Sequence, residues 1–338
     1  MGLLKDILSI NKTPESCRDY GSCGCAHTPA IPKHVFIELS GVCNLDCTFC
    51  AYSWSARRRG RMDLGLLEKI LKDLRKLEPV DYVMFSALGE PTLHPEFDEA
   101  CRMVHRAGYH LVVTTNGTRL RPEMVNLPID ELFISFNTPS PTAYEMKHSP
   151  VALPKLVGTI RDFIDAVPLF DTSIYLFTEN RLHYPEAGAL IRPDDPASAR
   201  HLQKLLREWN PGIEIPSPIP DTIEIHPHVY ARLKPLTLWA NCNPPAHIRV
   251  EEAVSIPAAT CNYYKHHINI LCDGEISVCC GDYDASISLG NVTAEPLRKI
   301  FLRKYETPDL AVHSLCRRCK GKPVCDLETP LAGAPANN

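Results

Sequence analysis

The sequence contains no apolar run of about 18 residues, the length that a membrane-spanning helix requires. Its first ten residues, MGLLKDILSI, also lack the hydrophobic segment and the small-residue cleavage site of a secretory signal. Their apolar spacing predicts a short amphipathic helix instead. We therefore expect a cytoplasmic protein with no membrane partner.

An excess of positive charge is missing as well. The 36 Lys and Arg residues are outnumbered by 40 Asp and Glu residues, which gives a net charge of -4 at pH 7. Nucleic-acid-binding proteins usually carry a basic excess or stripe, so this balance argues against a nucleic-acid partner. The one strongly basic run is ARRRGR at 56–61. It is interpreted as a solvated loop, with contact to an anionic substrate or a redox partner as the alternative.

Cysteine, in contrast, is abundant and clustered. The chain has 15 cysteines, of which three lie within GVCNLDCTFC (41–50) and several more lie between 261 and 325. In a reducing compartment such clusters indicate metal ligation rather than disulfides. The length of 338 residues fits one large α/β domain with a smaller appendage.

Strand-like and helix-like segments alternate over the first two-thirds of the chain. Apolar, β-branched and aromatic runs predict strands at 35–39, 82–86, 111–115, 131–136, 173–177 and near 213–215. Helical periodicity predicts helices at 64–77, 96–107, 153–166 and 198–209. This alternation predicts a parallel sheet, open or curved into part of a barrel, with ligands beyond the carboxyl ends of its strands.

Five segments are expected from the composition along the chain. They are an N-terminal extension (1–32), the α/β region (33–216), a proline-rich irregular connector (217–260), a cysteine-rich region (261–326) and a flexible tail (327–338). In the cysteine-rich region we expect a hairpin that turns at Asp273-Gly274 and a helix near 297–305.

The spacing of Cys43, Cys47 and Cys50 is Cys-x3-Cys-x2-Cys, directly after the first predicted strand. A structural zinc ion takes four protein ligands, whereas an iron–sulfur cubane held by three thiolates leaves one iron open. The motif resembles that of the radical S-adenosylmethionine (SAM) superfamily, where the open iron binds the amino and carboxylate groups of SAM. The resemblance implies a partial (β/α)6 TIM-type barrel over about residues 33–216 and a [4Fe-4S] cluster on these three cysteines.

Further motifs of the same family follow the other predicted strands. Gly89-Glu90-Pro91 resembles the Gly-Gly-Glu-Pro stretch that holds the methionine amino group, with Leu88 in place of the first glycine. By resemblance, six residues would contact SAM: Phe49, Gly89, Glu90, Asn116, Ser135 and Asn137. Asn137 replaces the aspartate that many relatives have. Taken singly, Glu90 also fits a helix-start carboxylate and Asn116-Gly117 an ordinary turn.

The cysteine-rich region resembles the SPASM and Twitch extensions of radical SAM enzymes. Thr329 stands where a SPASM domain would have a cysteine, so the shorter Twitch version is favoured. The resemblance implies one auxiliary [4Fe-4S] cluster on four cysteines, with Cys325 as a substitute for one of them: Cys261, Cys279, Cys316 and Cys319. A zinc ribbon built from the same cysteines is the alternative.

The family resemblance also implies a reaction. A flavodoxin or ferredoxin would supply an electron, SAM would be cleaved to methionine and a 5'-deoxyadenosyl radical, and this radical would remove a hydrogen atom from the substrate. The auxiliary cluster would then help to oxidise the substrate. Glu179, Lys147 and His148 are candidate bases, each also interpretable as a surface charge.

A small polar substrate of the sugar or aminocyclitol type is expected, because the cysteine pattern resembles the aminocyclitol dehydrogenase and epimerase branch. A peptide-modifying maturase is the first alternative. Such enzymes often carry a leader-peptide-binding domain, for which the roughly 32 residues before Lys33 are too few. A non-catalytic iron–sulfur or zinc protein, serving as a scaffold or electron carrier, is the second alternative.

Overall fold

The computed structural model describes residues 33–178 except 49, 54, 56, 58, 78–79 and 146, and then 182–183, 196–235, 249–250, 264 and 266–306. All of them belong to one compact unit that spans 31–321. The described strands are β1 His34–Ile37, β2 Tyr82–Phe85, β3 Leu111–Thr115, β4 Glu131–Asn137, β5 Asp171–Thr178, β6 Leu182–His183, β7 Thr222–His226, β8 Val229–Pro235, β9 Arg249–Val250, β10 His267–Ile270, β11 Glu275–Ser277 and β12 Ser288–Asn291.

The helices lie between these strands. They are α1 Leu64–Leu74, α2 Phe97–Arg106, α3 Pro141–Glu145, α4 Leu153–Asp165, α5 Pro196–Trp209 and α6 Leu297–Glu306, with short 3₁₀ helices at Ala51–Ser53, Pro91–Leu93 and Pro122–Asn126. Among the helices of the described segments, none is long and apolar enough to cross a membrane.

A ten-stranded sheet organises the molecule, in the order β12-β11-β10-β1-β2-β3-β4-β5-β8-β7. The seven strands from β10 to β8 in this order pair in parallel, and antiparallel strands flank them at both ends. The carboxyl ends of the parallel strands therefore meet at one edge, where loops from different strands can form a common site. The mixed α/β fold with a parallel sheet that the sequence predicted is confirmed.

Both faces of the sheet are covered by apolar side chains. Alternate residues of β1 show this: Val35 and Ile37 belong to the main core under the helices, whereas Phe36 packs in a smaller cluster with Met84 and Phe133 on the opposite face. The helix α1 begins at a cap in which the Asp63 carboxylate accepts hydrogen bonds from the next backbone N–H groups. Its apolar stripe is then buried against the sheet.

The first five predicted strands and all four predicted helices are present, with ends shifted by no more than three residues. The predicted strand near 213–215 is wrong. Ile213 and Ile215 are partly buried against the core, but they lie in irregular backbone outside any strand. The apolar alternation there reflects burial of a loop, and the following prolines 216, 218 and 220 could not donate to a sheet.

The sixth parallel partner comes instead from the segment that had been assigned to an irregular connector. β8 pairs in parallel with β5, and β7 pairs with β8 as an antiparallel hairpin. The predicted hairpin at 273–274 is present as β10 and β11, and the predicted helix near 297–305 is α6. The domain boundaries stay a prediction, and residues 1–32 lie outside the described part of the chain.

Candidate functional site

Three cysteines lie in the loop that follows β1, at the carboxyl edge of the sheet. Hydrogen bonds fix the loop: Cys50 N–H donates to the Cys47 carbonyl at 3.0 Å, and Cys43 N–H donates to the Tyr52 hydroxyl at 3.1 Å. Two backbone N–H groups also lie near the sulfurs, Leu45 N at 3.4 Å from Cys43 Sγ and Tyr52 N at 3.5 Å from Cys50 Sγ. The loop is therefore held by its own backbone before any ligand binds.

Burial keeps two of these thiols protonated in the metal-free chain. It raises the pKa of the Cys43 thiol to about 11 and the pKa of the Cys47 thiol to about 12. A coordinated metal deprotonates a thiol outright, so these groups become thiolates only when metal is bound. Within the described segments, no three His, Cys, Asp or Glu side chains could hold one metal ion between them. In a cubane each thiolate binds a different iron, so the loop's donor set fits a cluster better than a single ion.

Gly89 brings the loop after β2 against the cysteine loop. Its φ is +88°, and a Cβ built on it would lie 2.0 Å from the Ser40 carbonyl oxygen. The next residue, Glu90, donates its backbone N–H to the Val42 carbonyl at 2.9 Å. Only glycine allows this approach, which is the packing reason for the position that the sequence motif had marked.

The Glu90 carboxylate joins the ends of β2 and β3. It is 1% exposed and accepts four hydrogen bonds, from Thr92 N (3.1 Å), Thr92 Oγ1 (2.7 Å), Thr115 Oγ1 (2.7 Å) and Asn116 N (2.6 Å). Burial raises the pKa of this carboxyl, and the hydrogen bonds oppose that effect. Three of these bonds go to Oε1 and one goes to Oε2. The carboxylate therefore orients the surrounding loops, and Oε2 keeps an acceptor position for a ligand.

Asn116 connects the end of β3 to the cysteine loop. Its side-chain Nδ2 donates to Asn44 Oδ1 at 2.9 Å and lies 3.8 Å from Cys43 Sγ. The Asn44 amide in turn donates to Thr118 Oγ1 at 2.8 Å. The sequence motif identified Asn116, but Asn44 and Thr118 were missed. The only signal for Asn44 was its position directly after Cys43.

The end of β4 carries a buried hydrogen-bond acceptor that a ligand could satisfy. A bulge lies between Ile134 and Asn137, and Asn137 adopts a left-handed backbone with φ +77°. Asn137 is 5% exposed, yet its Oδ1 has no hydrogen-bond partner among the described residues. A buried acceptor without a donor costs about 1–3 kcal/mol. A ligand that presents a hydroxyl or amine hydrogen, such as the ribose or methionine part of SAM, would satisfy it.

The three candidate bases have separate outcomes. Lys147 is 1% exposed, so its interpretation as a surface charge is wrong. Its Nζ donates to the carbonyls of Ser135 and Phe136 at 2.9 and 3.3 Å. His148 is exposed, and Glu179 lies outside the described residues, as does Phe49.

The interpretation of the basic run as a solvated loop is wrong for Arg57 and Arg59. The Arg57 guanidinium forms an ion pair with the fully buried Glu38 side chain and donates to the Tyr283 carbonyl at 3.2 Å. The Arg59 guanidinium lies 3.5 Å from the centre of the Tyr52 ring, a cation–π contact. Burial raises the pKa of Glu38 although Arg57 opposes that effect. Both arginines thus hold the cysteine loop from within the protein.

The candidate auxiliary-cluster residues are described only in part. Cys279 is half-buried just after β11, and its carbonyl accepts from Asp282 N at 3.0 Å. Nearby, Tyr283 packs with Ala51 and Leu88 beside the cysteine loop. Four residues lie outside the described part of the chain: Cys261, Cys316, Cys319 and Cys325. The region of Cys279 therefore contacts the loop of Cys43, Cys47 and Cys50.

Two family models match the chain. Residues 37–191 match that of the radical SAM superfamily, and residues 261–320 match SPASM, an iron–sulfur cluster-binding domain. The tungsten-containing aldehyde ferredoxin oxidoreductase cofactor-modifying protein of Pyrococcus furiosus is 36% identical over 115 residues, 33% of this chain and 32% of that protein. The mycofactocin maturase MftC of Mycobacterium ulcerans is 34% identical over 89 residues, 26% of this chain and 23% of that protein. The matches thus span about a third or less of these curated relatives.

Solved structures share the fold. BtrN in complex with AdoMet and 2-DOIA has a TM-score of 0.51 at 14% identity, covering 86% of this chain and 94% of that one. Streptococcus suis SuiB bound to the precursor peptide SuiA has a TM-score of 0.51 at 14% identity, covering 86% of this chain and 70% of that one. Radical SAM enzymes bind SAM on a [4Fe-4S] cluster, and SPASM domains bind auxiliary iron–sulfur clusters. This chain therefore contains a radical SAM domain at residues 37–191 and a SPASM iron–sulfur cluster-binding domain at residues 261–320.

Proposed function

We propose that Cys43, Cys47 and Cys50 hold the SAM-binding [4Fe-4S] cluster of an enzyme that removes a hydrogen atom from a small polar substrate. The observation that carries this proposal is the hydrogen-bonded connection of the cysteine loop to the loops after β2 and β3. When bound and reduced by one electron, SAM and its cluster supply the 5'-deoxyadenosyl radical.

The chain's own side chains bind and orient the cofactor. Gly89 allows the β2 loop to lie against the cysteine loop, and Glu90 holds that loop in place. The Asn116 amide contacts the Cys43 sulfur and the Asn44 side chain. Asn137 offers its unsatisfied oxygen to a donor of the cofactor. Ser135, half-buried in β4, and Phe49, assigned by family resemblance, complete the proposed contacts.

One auxiliary [4Fe-4S] cluster on four cysteines is the second part of the proposal: Cys261, Cys279, Cys316 and Cys319. The SPASM match begins at 261 and ends at 320, so it includes these four and stops before Cys325. An auxiliary cluster can accept an electron from a substrate radical, which suits oxidation of an alcohol; return of a hydrogen atom instead would give epimerisation. We therefore propose an oxidoreductase or epimerase acting on a sugar or aminocyclitol, with a flavodoxin or ferredoxin as electron donor.

A peptide substrate is the second candidate. The similarity to the maturase MftC and the likeness in fold to SuiB bound to a precursor peptide support it. The likeness in fold to BtrN, bound to AdoMet and the small molecule 2-DOIA, supports the first candidate. The two differ in where the abstracted hydrogen atom originates.

The ligand assignment is tested by counting iron and sulfide after anaerobic reconstitution. We expect about eight irons in the native chain and about four in the Cys43→Ala/Cys47→Ala/Cys50→Ala variant, since each cubane contains four. We also expect dithionite-dependent formation of 5'-deoxyadenosine from SAM in the native chain only. About four irons falling to none, with zinc in both proteins, would show that the C-terminal cysteines hold a structural metal and would overturn the auxiliary cluster.

The substrate class is tested by deuterium transfer into 5'-deoxyadenosine. Sugars and aminocyclitols with deuterium at the carbinol carbons form one panel, and peptides deuterated at the α or β carbons form the other. Deuterium transferred from the first panel supports the small polar substrate. Transfer from peptides alone would replace that proposal with a peptide-modifying enzyme.

A further inference from the structure

Lys147 is a lysine whose side chain is almost entirely buried beside the cysteine loop. It follows the short helix α3 and is 1% exposed, while its neighbour His148 is exposed. A buried ammonium is costly unless nearby charges and hydrogen bonds compensate it. Its position therefore calls for an explanation that a surface lysine would not need.

Hydrogen bonds hold Lys147 between two parts of the candidate site. Its Nζ donates to the carbonyl oxygens of Ser135 at 2.9 Å and Phe136 at 3.3 Å. These residues form the bulge of β4 that leads into the left-handed Asn137. The Lys147 carbonyl accepts the backbone N–H of Asp46 at 3.3 Å, one residue before Cys47. The ammonium is thus fixed with respect to both β4 and the cysteine loop.

No carboxylate of the described residues forms an ion pair with this ammonium. Among the ion pairs of the described residues, none includes Lys147. When ionised, Cys47, Cys43 and Glu90 favour the protonated form of Lys147. Burial lowers the pKa of Lys147, and these three groups oppose that effect.

A bound cluster would supply the negative charge that this ammonium lacks. Loading of a cubane converts three neutral thiols into thiolates, and one-electron reduction adds a further negative charge. A fixed positive charge in a medium of low dielectric constant stabilises the thiolates and favours the reduced state over the oxidised one.

We propose that Lys147 is the buried counter-charge of the SAM-binding cluster, a positioning residue whose ammonium raises the reduction potential of that cluster. This inference rests on the proposed assignment of Cys43, Cys47 and Cys50 as its ligands. Lys147 acts through its charge on the cluster and removes no proton from the substrate, since both carbonyls of the β4 bulge orient its ammonium.

The test is a redox titration of the reconstituted full-length chain with SAM bound, followed by the electron paramagnetic resonance signal of the reduced cluster. The signal of the variant lacking the three loop cysteines is subtracted to remove the auxiliary contribution. The variants are Lys147→Gln and Lys147→Met, which remove the charge, and Lys147→Arg, which keeps it. Lys155→Gln, an exposed lysine of α4, is the matched control for loss of one charge.

In both neutral variants we expect at least a tenfold loss in the equilibrium constant for one-electron reduction, a shift of about 59 mV to lower potential. We expect Lys147→Arg to remain within threefold of the native protein and Lys155→Gln to be unchanged. An unchanged potential in a neutral variant with full iron content would overturn the proposal, because the side chain would then only hold the β4 bulge.

Iron content decides the case if the neutral variants do not take up the cluster. Cluster loading in Lys147→Arg but not in Lys147→Gln or Lys147→Met would support the counter-charge, because only the arginine variant keeps the positive charge. Failure of all three would overturn it in favour of a purely structural role. If the triple cysteine variant keeps its iron and its signal, the ligand assignment and this inference both fail. If that variant loses them but the reduction potential of Lys147→Gln equals that of the native protein, only this inference fails.

Discussion

Gly89 is the residue at which one added carbon has the clearest consequence. A Cβ there would lie 2.0 Å from the Ser40 carbonyl oxygen, in a backbone with φ +88°. Relief of this clash must move the β2 loop away from the cysteine loop. We expect Gly89→Ala to lower the free energy of unfolding of the metal-free chain by at least about 2 kcal/mol and to reduce iron loading at the loop. Chemical denaturation and iron analysis measure the two effects.

Gly108 provides the matched control. Its φ is +83°, almost that of Gly89, but a Cβ built on it has no atom within 4 Å. Gly108→Ala should therefore cost only about 1 kcal/mol from backbone strain and leave iron loading intact. Equal losses in both variants would mean that backbone strain, and not the approach to Ser40, explains the glycine.

Sequence patterns identified those site residues that a short motif fixes. Cys43, Gly89 and Asn116 were predicted because their neighbours along the chain carry the signal. Asn44 and Lys147 were not assigned their contacts, because each acquires its role from residues on another loop or strand. Such contacts depend on which strand ends lie side by side.

At the scale of elements, the buried ion pair between Arg57 and Glu38 links the cysteine loop to β1 and to the loop after β11. The Arg57 side chain is 11% exposed and that of Glu38 is 0% exposed. Arg57→Met leaves a buried carboxylate without its partner, so we expect a loss of about 3–5 kcal/mol in the free energy of unfolding. Denaturant titration of the metal-free chain measures it.

The double variant Arg57→Met/Glu38→Gln should recover part of that stability, since no charge is then left buried alone. The exposed pair of Lys72 and Glu68, with side chains 66% and 58% exposed, is the comparison. Lys72→Met should change stability by no more than about 0.5 kcal/mol. A loss of that size for Arg57→Met would show that the basic run is solvated after all.

A second element-scale prediction concerns β10 at low pH. His267 is fully buried, its Nε2 lies 2.9 Å from His34 Nδ1, and burial lowers its pKa well below the ordinary value. Below about pH 6.5 the unfolded chain binds a proton at this residue that the folded chain does not. Stability should therefore fall as the pH is lowered below about 6.5, by up to about 1.4 kcal/mol per pH unit for this one group.

The His267→Gln variant should show a shallower decline over the same range. Denaturation curves of the metal-free chain from pH 7.5 to pH 5 give the slopes. Identical slopes in the native and His267→Gln proteins would contradict the assignment to His267.

Element prediction succeeded where apolar periodicity and strand order agreed. It was wrong at 213–215, where Ile213 and Ile215 alternate as in a strand but cover the core from a loop. The parallel partner of β5 is β8, which begins about 15 residues after the predicted strand. A local apolar pattern indicates that a segment is buried, whereas strand pairing depends on which edge of the sheet is open.

For the whole molecule, the C-terminal hairpin belongs to the same sheet as β1, the strand that leads into the cysteine loop. β10 pairs in parallel with β1 over four residues, His34 to Ile37 with His267 to Ile270. Removal of residues 261–338 would leave β1 as an unpaired edge and remove the Tyr283 contact of Arg57. We expect the 1–260 chain to bind fewer than about two irons. If the loop could hold its cluster without the C-terminal hairpin, this chain would bind about four.

Anaerobic reconstitution and iron analysis of the shortened chain measure this effect, and the full-length Cys279→Ala variant is the control that alters the C-terminal region while keeping β10. That control should retain the loop cluster. A shortened chain that binds about four irons and cleaves SAM would show that the C-terminal hairpin is dispensable for the cysteine loop.

The sequence by itself determined the alternation of strands and helices and the position of the cysteine loop after β1, because these depend on residues close together along the chain. The tertiary structure decided that β10 lies beside β1, that β8 completes the parallel set, and that Arg57 and Lys147 are internal. The physical reason is that a charged side chain carries the same local signal whether it faces water or a buried partner. Its partner is chosen only when distant segments pack together.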